Sequence, residues 1–346
     1  MSNRTVNLFA AGGAASNIVA DILKTNNTSM TAKLANLNIT LLDTSRSNYD
    51  RNKELFEKHD IKLVTIPGLD GSGQKRDTNV QEASKYIAKF VSENGDKDAS
   101  LNILLHSASG GSGSVLANLA AKYLLSEDKN VVAIVVGDST TRNFANNTIS
   151  TLKSYENIAQ TAEKPMIADY IENDGKRTIK EVNDYIASTI IDYRMLFGGH
   201  VHGIDSADLK NFLQYNRISS NQPALTLMTT LGIDSDAKDQ HEVAKALQRE
   251  LNDDLPIIAY AMVSVTEKEN RQLVDCDFKI EGSVDLPRDE KVKPYDLYFC
   301  LSKGHFFNVV DRLSKVVEEY RKKENTQVNR VIDVSKDVDP NSGLVL

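Results

Sequence analysis

The residues best suited to chemistry in this 346-residue chain are small and hydroxylated. Ser107-Ala108-Ser109-Gly110-Gly111-Ser112-Gly113-Ser114 follows the apolar run Leu101 to Leu105 and precedes the helical spacing of Val115 to Leu125. Without a Cβ, glycine lets the backbone approach a ligand and adopt φ > 0. The unpaired N–H groups of the next helix point to the same place, with the helix dipole behind them. Such a turn suits a phosphate, and Ser109, Gly110, Gly111, Ser112, Gly113 and Ser114 are its candidate contacts. No Gly-Lys-Ser/Thr ends it, so it is not a P-loop. It lies in the fourth strand-like unit, whereas a dinucleotide fingerprint occupies the first. A flexible glycine-serine loop is the plain alternative.

Other turns carry related groups. Gly12-Gly13-Ala14-Ala15-Ser16-Asn17 follows the strand Val6 to Ala11 and opens a helix to about Leu23. Asp43 ends the strand Leu37 to Leu42, as a ligand or as a cap for the polar helix Asn48 to Lys58. After Ile61 to Ile66, Pro67 to Arg76 contains Gly71, Ser72 and Gly73 before Lys75-Arg76. It reads as an anion-binding loop or as a solvated turn. Gly137-Asp138-Ser139-Thr140 follows Val131 to Val136, a β-branched run suited to a central parallel strand. His200, His202, Asp205 and Asp208 suggest a metal cluster, on loose spacing. Asp205 or Ser206 alternatively caps a helix from Ala207 to Gln214, a role that does not need both acids.

The elements that position these residues are five strand–helix units in succession. In a parallel sheet their carboxyl ends share one edge, where ligands bind. Turns suited to a ligand follow the first, third, fourth and fifth strands. Pro165 to Ile171 is a sixth strand. Thr178 to Leu196 is a long helix with Ile179, Val182, Ile186, Ile190 and Tyr193 spaced for one buried face. Its length, ~28 Å at 1.5 Å per residue, suits a bridge between two domains. After Pro223, strands are expected at Leu225 to Leu231, Leu255 to Val265 and Tyr295 to Leu301, with helices at His241 to Leu251 and Lys268 to Val274. A final helix, Phe306 to Lys323, closes on Arg321-Lys322-Lys323, which suits a helix C-terminus. Val331 to Leu346 is either a disordered tail or a docking peptide ending in Leu344-Val345-Leu346.

A net charge of −7 argues against a general nucleic-acid groove. Cys276 and Cys300, the only cysteines, offer no metal-ligand spacing; a disulfide between them is unneeded, which suits a reducing cytoplasm. Gly12-Gly13 interrupts the one leader-like stretch, and no apolar run approaches the ~20 residues that span a bilayer.

The glycine-serine turn resembles the signature loop of the tubulin/FtsZ superfamily, Gly-Gly-Gly-Thr-Gly-Ser, with Ser109 at the first glycine and Ser112 at the threonine. Ile204-Asp205-Ser206-Ala207-Asp208-Leu209 resembles that family's catalytic loop, Val-Asp-Phe-Ala-Asp-Val, with Gly203 where the family has asparagine. Asn183-Asp184 resembles the Asn-Asp of its central helix. Ser-Gly-Ser-Val after the glycines and the acidic tail are similar to its phage-encoded branch.

The resemblance implies an α/β, tubulin/FtsZ-like fold: a parallel-sheet GTP-binding domain (1–177), a long central helix with its loop (178–203), a smaller mixed α/β activation domain (204–324) and a C-terminal tail (325–346). It implies GTP or GDP with Mg²⁺, held by the signature loop, Gly12, Gly13, Ser16, Asn17, Asp43 and Asp138, with Gly71 to Gly73 sensing the γ-phosphate. It implies that Asn173 and Asn183 read guanine, since an amide both donates and accepts; a cap or surface amide is the alternative for each. Asp205 and Asp208 would be catalytic across a polymer interface. The partner implied is the chain itself, head to tail, with the tail on a neighbouring subunit and phage DNA or its enclosing shell as cargo. Host bacterial cytoplasm is the expected location, with no direct nucleic-acid or membrane contact. Two rivals remain: a GTP-binding scaffold that does not hydrolyse, and a dinucleotide-dependent oxidoreductase.

Overall fold

A computed structural model describes residues 4–25, 34–73, 75–76, 79–234, 257–264, 276–284 and 295–336. Among the described residues ten strands form one sheet: β1 (Thr5–Ala11), β2 (Asn36–Asp43), β3 (Lys62–Thr65), β4 (Leu101–Ser107), β5 (Val131–Asp138), β6 (Met166–Asn173), β7 (Leu225–Asp234), β8 (Ile257–Ser264), β9 (Phe278–Ser283) and β10 (Tyr295–Ser302). Their order is β3-β2-β1-β4-β5-β6-β7-β10-β8-β9. Every pairing from β3 to β7 is parallel, β10 is antiparallel to both neighbours, and β8 and β9 are parallel.

The helices are α1 (Gly12–Thr25), α2 (Ser47–Arg51), α3 (Lys53–Lys58), α4 (Val80–Asn94), α5 (Ser112–Ser126), α6 (Arg142–Ala162), α7 (Ile179–Leu196), α8 (Ser206–Leu213) and α9 (Gly304–Lys336). They cover both faces, which is why β1, β4 and β5 are nearly continuous apolar runs. Alternate residues feed two cores. Val6, Leu8 and Ala10 join the side of α1, α7 and α8, while Phe9 and Ala11 join the side of α4, α5, α6 and α9.

The sheet runs without a break from the strands before α7 into those after it, because Met166 to Asp169 of β6 pair with Leu225 to Met228 of β7. α7 lies against both parts. Its Tyr185 and Tyr193 hydroxyls donate to Asp169 of β6 at 3.0 and 3.1 Å, and its Tyr193 ring centroid is 6.0 Å from that of Phe299 on β10. A capping box of Thr178 and Glu181 starts this helix. Val182, Ile186, Ile190 and Tyr193 are buried as their spacing predicts, but Ile179 is 74% exposed. It is the first residue after the cap and projects past the end of the packed face.

Three other expectations need correction or placement. α9 does not stop at Lys323 but continues to Lys336, since neither proline nor glycine interrupts that stretch. β9, an edge strand in Phe-Lys-Ile-Glu-Gly-Ser, is not anticipated from the sequence. The helices expected at His241 to Leu251 and Lys268 to Val274, and the last ten residues, lie outside the described residues. Both cysteines are free. Among the described residues no helix is long and apolar enough to cross a membrane.

Candidate functional site

The turns at the carboxyl ends of β1 to β4 meet in direct contact. A Cβ on Gly113 would lie 2.5 Å from the Ala11 carbonyl oxygen, and one on Gly12 (φ +83°) would lie 2.8 Å from the Gly113 Cα. No other residue fits either position, so the starts of α1 and α5 are locked backbone to backbone. A Cβ on Gly111 would lie 2.1 Å from Ser72 Oγ, which brings in the turn after β3. The turn after β2 joins through Thr44 Oγ1 and Ser112 Oγ, 2.6 Å apart, and through Gly71 N–H donating to Thr44 O at 3.0 Å. Asn79 Nδ2 donates to Gly71 O at 2.9 Å, which fixes the glycine turn from its far side.

Gly110 differs from its neighbours. The nearest atom to a Cβ there is Ser107 O at 4.0 Å, so it faces open space. The first N–H groups of α5 have no acceptor inside the helix. An uncrowded glycine beside these donors is the arrangement that a phosphate requires. Ser109 is buried, with its hydroxyl 2.9 Å from that of Ser107, and its carbonyl accepts from Asn147 Nδ2 at 2.9 Å. Ser114 Oγ donates to Gly110 O at 2.6 Å and Ser16 Oγ to Gly12 O at 3.2 Å, so both hydroxyls support their own turns. Asn17 is exposed, and a Cβ on Gly13 would meet Asn48 Nδ2 at 2.1 Å.

Asp43 does not cap α2, whose N-cap is Arg46 without a side-chain bond. Instead its Oδ1 accepts from Thr44 N–H at 2.7 Å. Burial pushes its pKa up to about 6, against the lowering pull of the Thr44 and Ser45 backbone donors. His106, directly below the glycine turn, is fully buried and paired to the Tyr155 hydroxyl at 2.7 Å. Burial lowers its pKa to about 4, so the ring is neutral.

A second group lies after β5 and β6. Asp138 accepts from Thr140 N–H at 2.8 Å and from Asn173 Nδ2 at 3.0 Å. Asn183 is buried and donates to Asp21 of α1 at 2.8 Å. The two asparagines therefore have separate partners. Asn147, Thr44 and Glu172 shape these turns without having been singled out from the sequence. Of the three, only Glu172 carries a sequence signal, an acid at the end of a buried strand.

Asp205 and Asp208 occupy the opposite edge of the sheet. Their helix start borders a cavity lined by Arg4, Ser100, Asn130, Ser206 and Lys210, and the first three immediately precede or adjoin the starts of β1, β4 and β5. A strand of seven residues such as β4 spans about 23 Å, which separates the acids from the glycine turns within one chain. Both acids are used in a reciprocal cap. Asp205 Oδ1 accepts from Ala207 and Asp208 N–H groups, and Asp208 Oδ2 accepts from Asp205 N–H. The expectation that capping does not need both is therefore wrong. Backbone donors from Asp208 and Ala207 hold the Asp205 pKa below the usual carboxylate value. Gly203 has φ +89°, and a Cβ there would lie 3.2 Å from Glu281 O, so any side chain at this position would crowd that carbonyl. His202 pairs through its backbone with Ser283. Among the described residues no three His, Cys, Asp or Glu side chains come together as metal ligands.

No protein-family profile matches the chain. It is 28% identical over 199 residues to a phage tubulin-like protein of Pseudomonas phage 201phi2-1, covering 57% of this chain and 62% of that protein. It is 25% identical over 190 residues to the phage tubulin-like protein of Pseudomonas phage phiKZ, covering 52% and 56%. The sequence match thus spans less than two thirds of these relatives' length. The fold match is longer. The phage tubulin PhuZ with GDP superposes with a TM-score of 0.76 at 19% identity, over 98% of this chain and 95% of that one. A protofilament of TubZ from bacteriophage PhiKZ gives 0.74 at 17% identity, over 99% and 95%. The chain therefore has the fold of the solved phage tubulins PhuZ and TubZ, with a partial sequence likeness to phage tubulin-like proteins.

Proposed function

We propose that this chain binds GTP on the turns after β1 to β6, assembles head to tail with copies of itself, and hydrolyses GTP between adjacent subunits. The observation that carries this reading is the separation of the two half-sites. The phosphate-suited turns lie at one edge of the parallel sheet and the carboxylate pair at the other, a strand length away. One chain cannot bring them together, whereas stacking two chains along the strand direction can. The solved relatives that include a protofilament support the stacking, and the one solved with GDP supports the nucleotide class.

In this mechanism Gly110 and the first N–H groups of α5 hold phosphate oxygens. Asp138 and Asn173 flank the nucleoside end, and Asn183 reads the base after exchanging its bond to Asp21. Asp205 and Asp208 of the next subunit orient and polarise the attacking water in line with the leaving β-phosphate. Each acid retains an oxygen outside the cap. Ionised acids suit this role, and the backbone donors keep Asp205 ionised. Mg²⁺ would neutralise phosphate charge. With no cluster of acidic ligands among the described residues, it would be held chiefly by phosphates and water.

Assembly then controls hydrolysis. The chain's last residues would dock on a neighbouring subunit, and the filament would position phage DNA or its shell in the host cytoplasm. Turnover per subunit measured across the assembly concentration tests the central step. It should rise sharply as filaments form; a rate independent of concentration would defeat the reading. A second reading, a GTP-binding filament scaffold that does not hydrolyse, is favoured by Gly203 and by the use of both acids in a cap.

A further inference from the structure

The turn after β5 is tied to the final helix by a network that the proposed chemistry leaves unused. Glu172, at the end of β6 and 8% exposed, accepts from Ser139 Oγ at 2.6 Å, Tyr170 Oη at 2.9 Å and Arg312 Nη1 at 2.8 Å; Arg312 Nη2 binds its other oxygen. Burial alone would raise the Glu172 pKa, but the Arg312 and Ser139 hydrogen bonds and the Arg312 charge outweigh it and hold the carboxylate ionised. Further along α9, Tyr320 Oη donates to Thr140 O at 2.7 Å, and Glu324 accepts from Arg142 Nη1 at 2.5 Å. Arg312, Tyr320 and Glu324 are spaced by multiples of four and share one helix face. Gly137 permits the packing, since a Cβ there would lie 2.1 Å from Tyr170 Oη.

Three contacts of α9 thus fall on Thr140, Arg142 and Glu172, which lie close in sequence to Asp138 and Asn173 of the candidate site. A buried carboxylate with one charged partner adds little net stability, though breaking such a pair is costly. Its value here is in fixing position. We propose that the Glu172–Arg312 pair couples nucleotide occupancy to the position of α9. This rests on the reading of these turns as the nucleotide site. A ligand that orders Ser139 to Arg142 also orders α9, and by reciprocity freeing α9 weakens the ligand. Because α9 runs to Lys336, the coupling carries nucleotide state to the C-terminal segment.

Hydrogen exchange on the full chain, below its assembly concentration, tests this with a slowly hydrolysed GTP analogue. The analogue should slow exchange in peptides covering 107–114 and also 304–324. In Arg312→Met the first protection should persist and the second should vanish, with affinity for the analogue falling roughly fivefold or more. Glu172→Met/Arg312→Met, which removes both charges and retains packing volume, should be uncoupled in the same way. Protection of α9 that persists in both variants, or that is absent from the parent while 107–114 responds, would overturn the coupling. Absence of protection at 107–114 in the parent would overturn the site reading and the coupling with it.

Discussion

Asp205 and Asp208 cap each other's backbone: Asp205 N–H donates to Asp208 Oδ2 at 2.9 Å, and Asp208 N–H donates to Asp205 Oδ1 at 2.9 Å. Any test of their chemistry must therefore separate catalysis from helix capping. Asp205→Asn preserves a capping oxygen and removes the charge. It should leave thermal stability nearly unchanged, because asparagine caps as well as aspartate, and lower GTP turnover in filaments by roughly 10²–10⁴-fold. Asp205→Ala should lose the same activity and also lower the melting temperature, because the cap is lost. Parent-like turnover of Asp205→Asn filaments would show that the pair is only a cap.

Gly110 and Gly113 predict opposite outcomes from one substitution. Gly110→Val places its side chain in open space, so the protein should fold with parent-like circular dichroism and fail to bind GTP by calorimetry. Gly113→Val must displace the Ala11 carbonyl, 2.5 Å from its Cβ, and should lower the melting temperature sharply. Intact GTP affinity in folded Gly110→Val would remove this turn from the site.

Asp43 gives a pH signature. Its folded pKa of about 6 lies above the ordinary aspartate value because burial disfavours its charge. The native state therefore binds the proton more tightly than the unfolded chain. This group's contribution favours folding increasingly as pH falls from about 6 to about 4, and it opposes folding above that window. Asp43→Asn should be more stable than the parent at pH 7.5, with the advantage shrinking as pH falls toward 4. Parallel melting-temperature profiles for the two proteins would contradict this.

Residues 337–346 include Asp337 and Asp339 before Leu344-Val345-Leu346. Burial of one such apolar side chain contributes about 1.5–3 kcal/mol, while ordering each residue costs ~1–2 kcal/mol. If these residues dock as proposed, the acids must assist, and that part should weaken with salt. Deleting 337–346 should raise the critical concentration in sedimentation assays while leaving GTP affinity of the monomer unchanged. Pelleting at the parent concentration would mean that these residues do not dock.

The parallel strands β1 to β6 were legible because strands buried on both faces are nearly unbroken apolar runs, as in Val131 to Val136, whereas the pairing of β7 with β6 in the same sheet was not. The glycine turns were legible because few residue types fit a backbone contact like that of Gly12 and Gly113. What depends on tertiary pairing was not. The Asp138–Asn173 and Asn183–Asp21 bonds join residues 35 and 162 positions apart, and no local spacing announces them. The end of α9 was misread because a basic cluster favours a helix terminus without requiring one. The reciprocal cap made by Asp205 and Asp208 was missed because such a cap is usually recognised with glutamate or glutamine at its third position.

The claim that two subunits complete one active site is tested most directly by mixing two variants. Gly110→Val keeps the acids and cannot hold GTP; Asp205→Asn holds GTP and lacks the acid. Each alone should be nearly inactive. Mixed, the acids of the first face the GTP of the second, and phosphate release should recover to a measurable fraction of the parent rate. A mixture as inactive as its parts, at concentrations where the two variants co-sediment, would contradict the account.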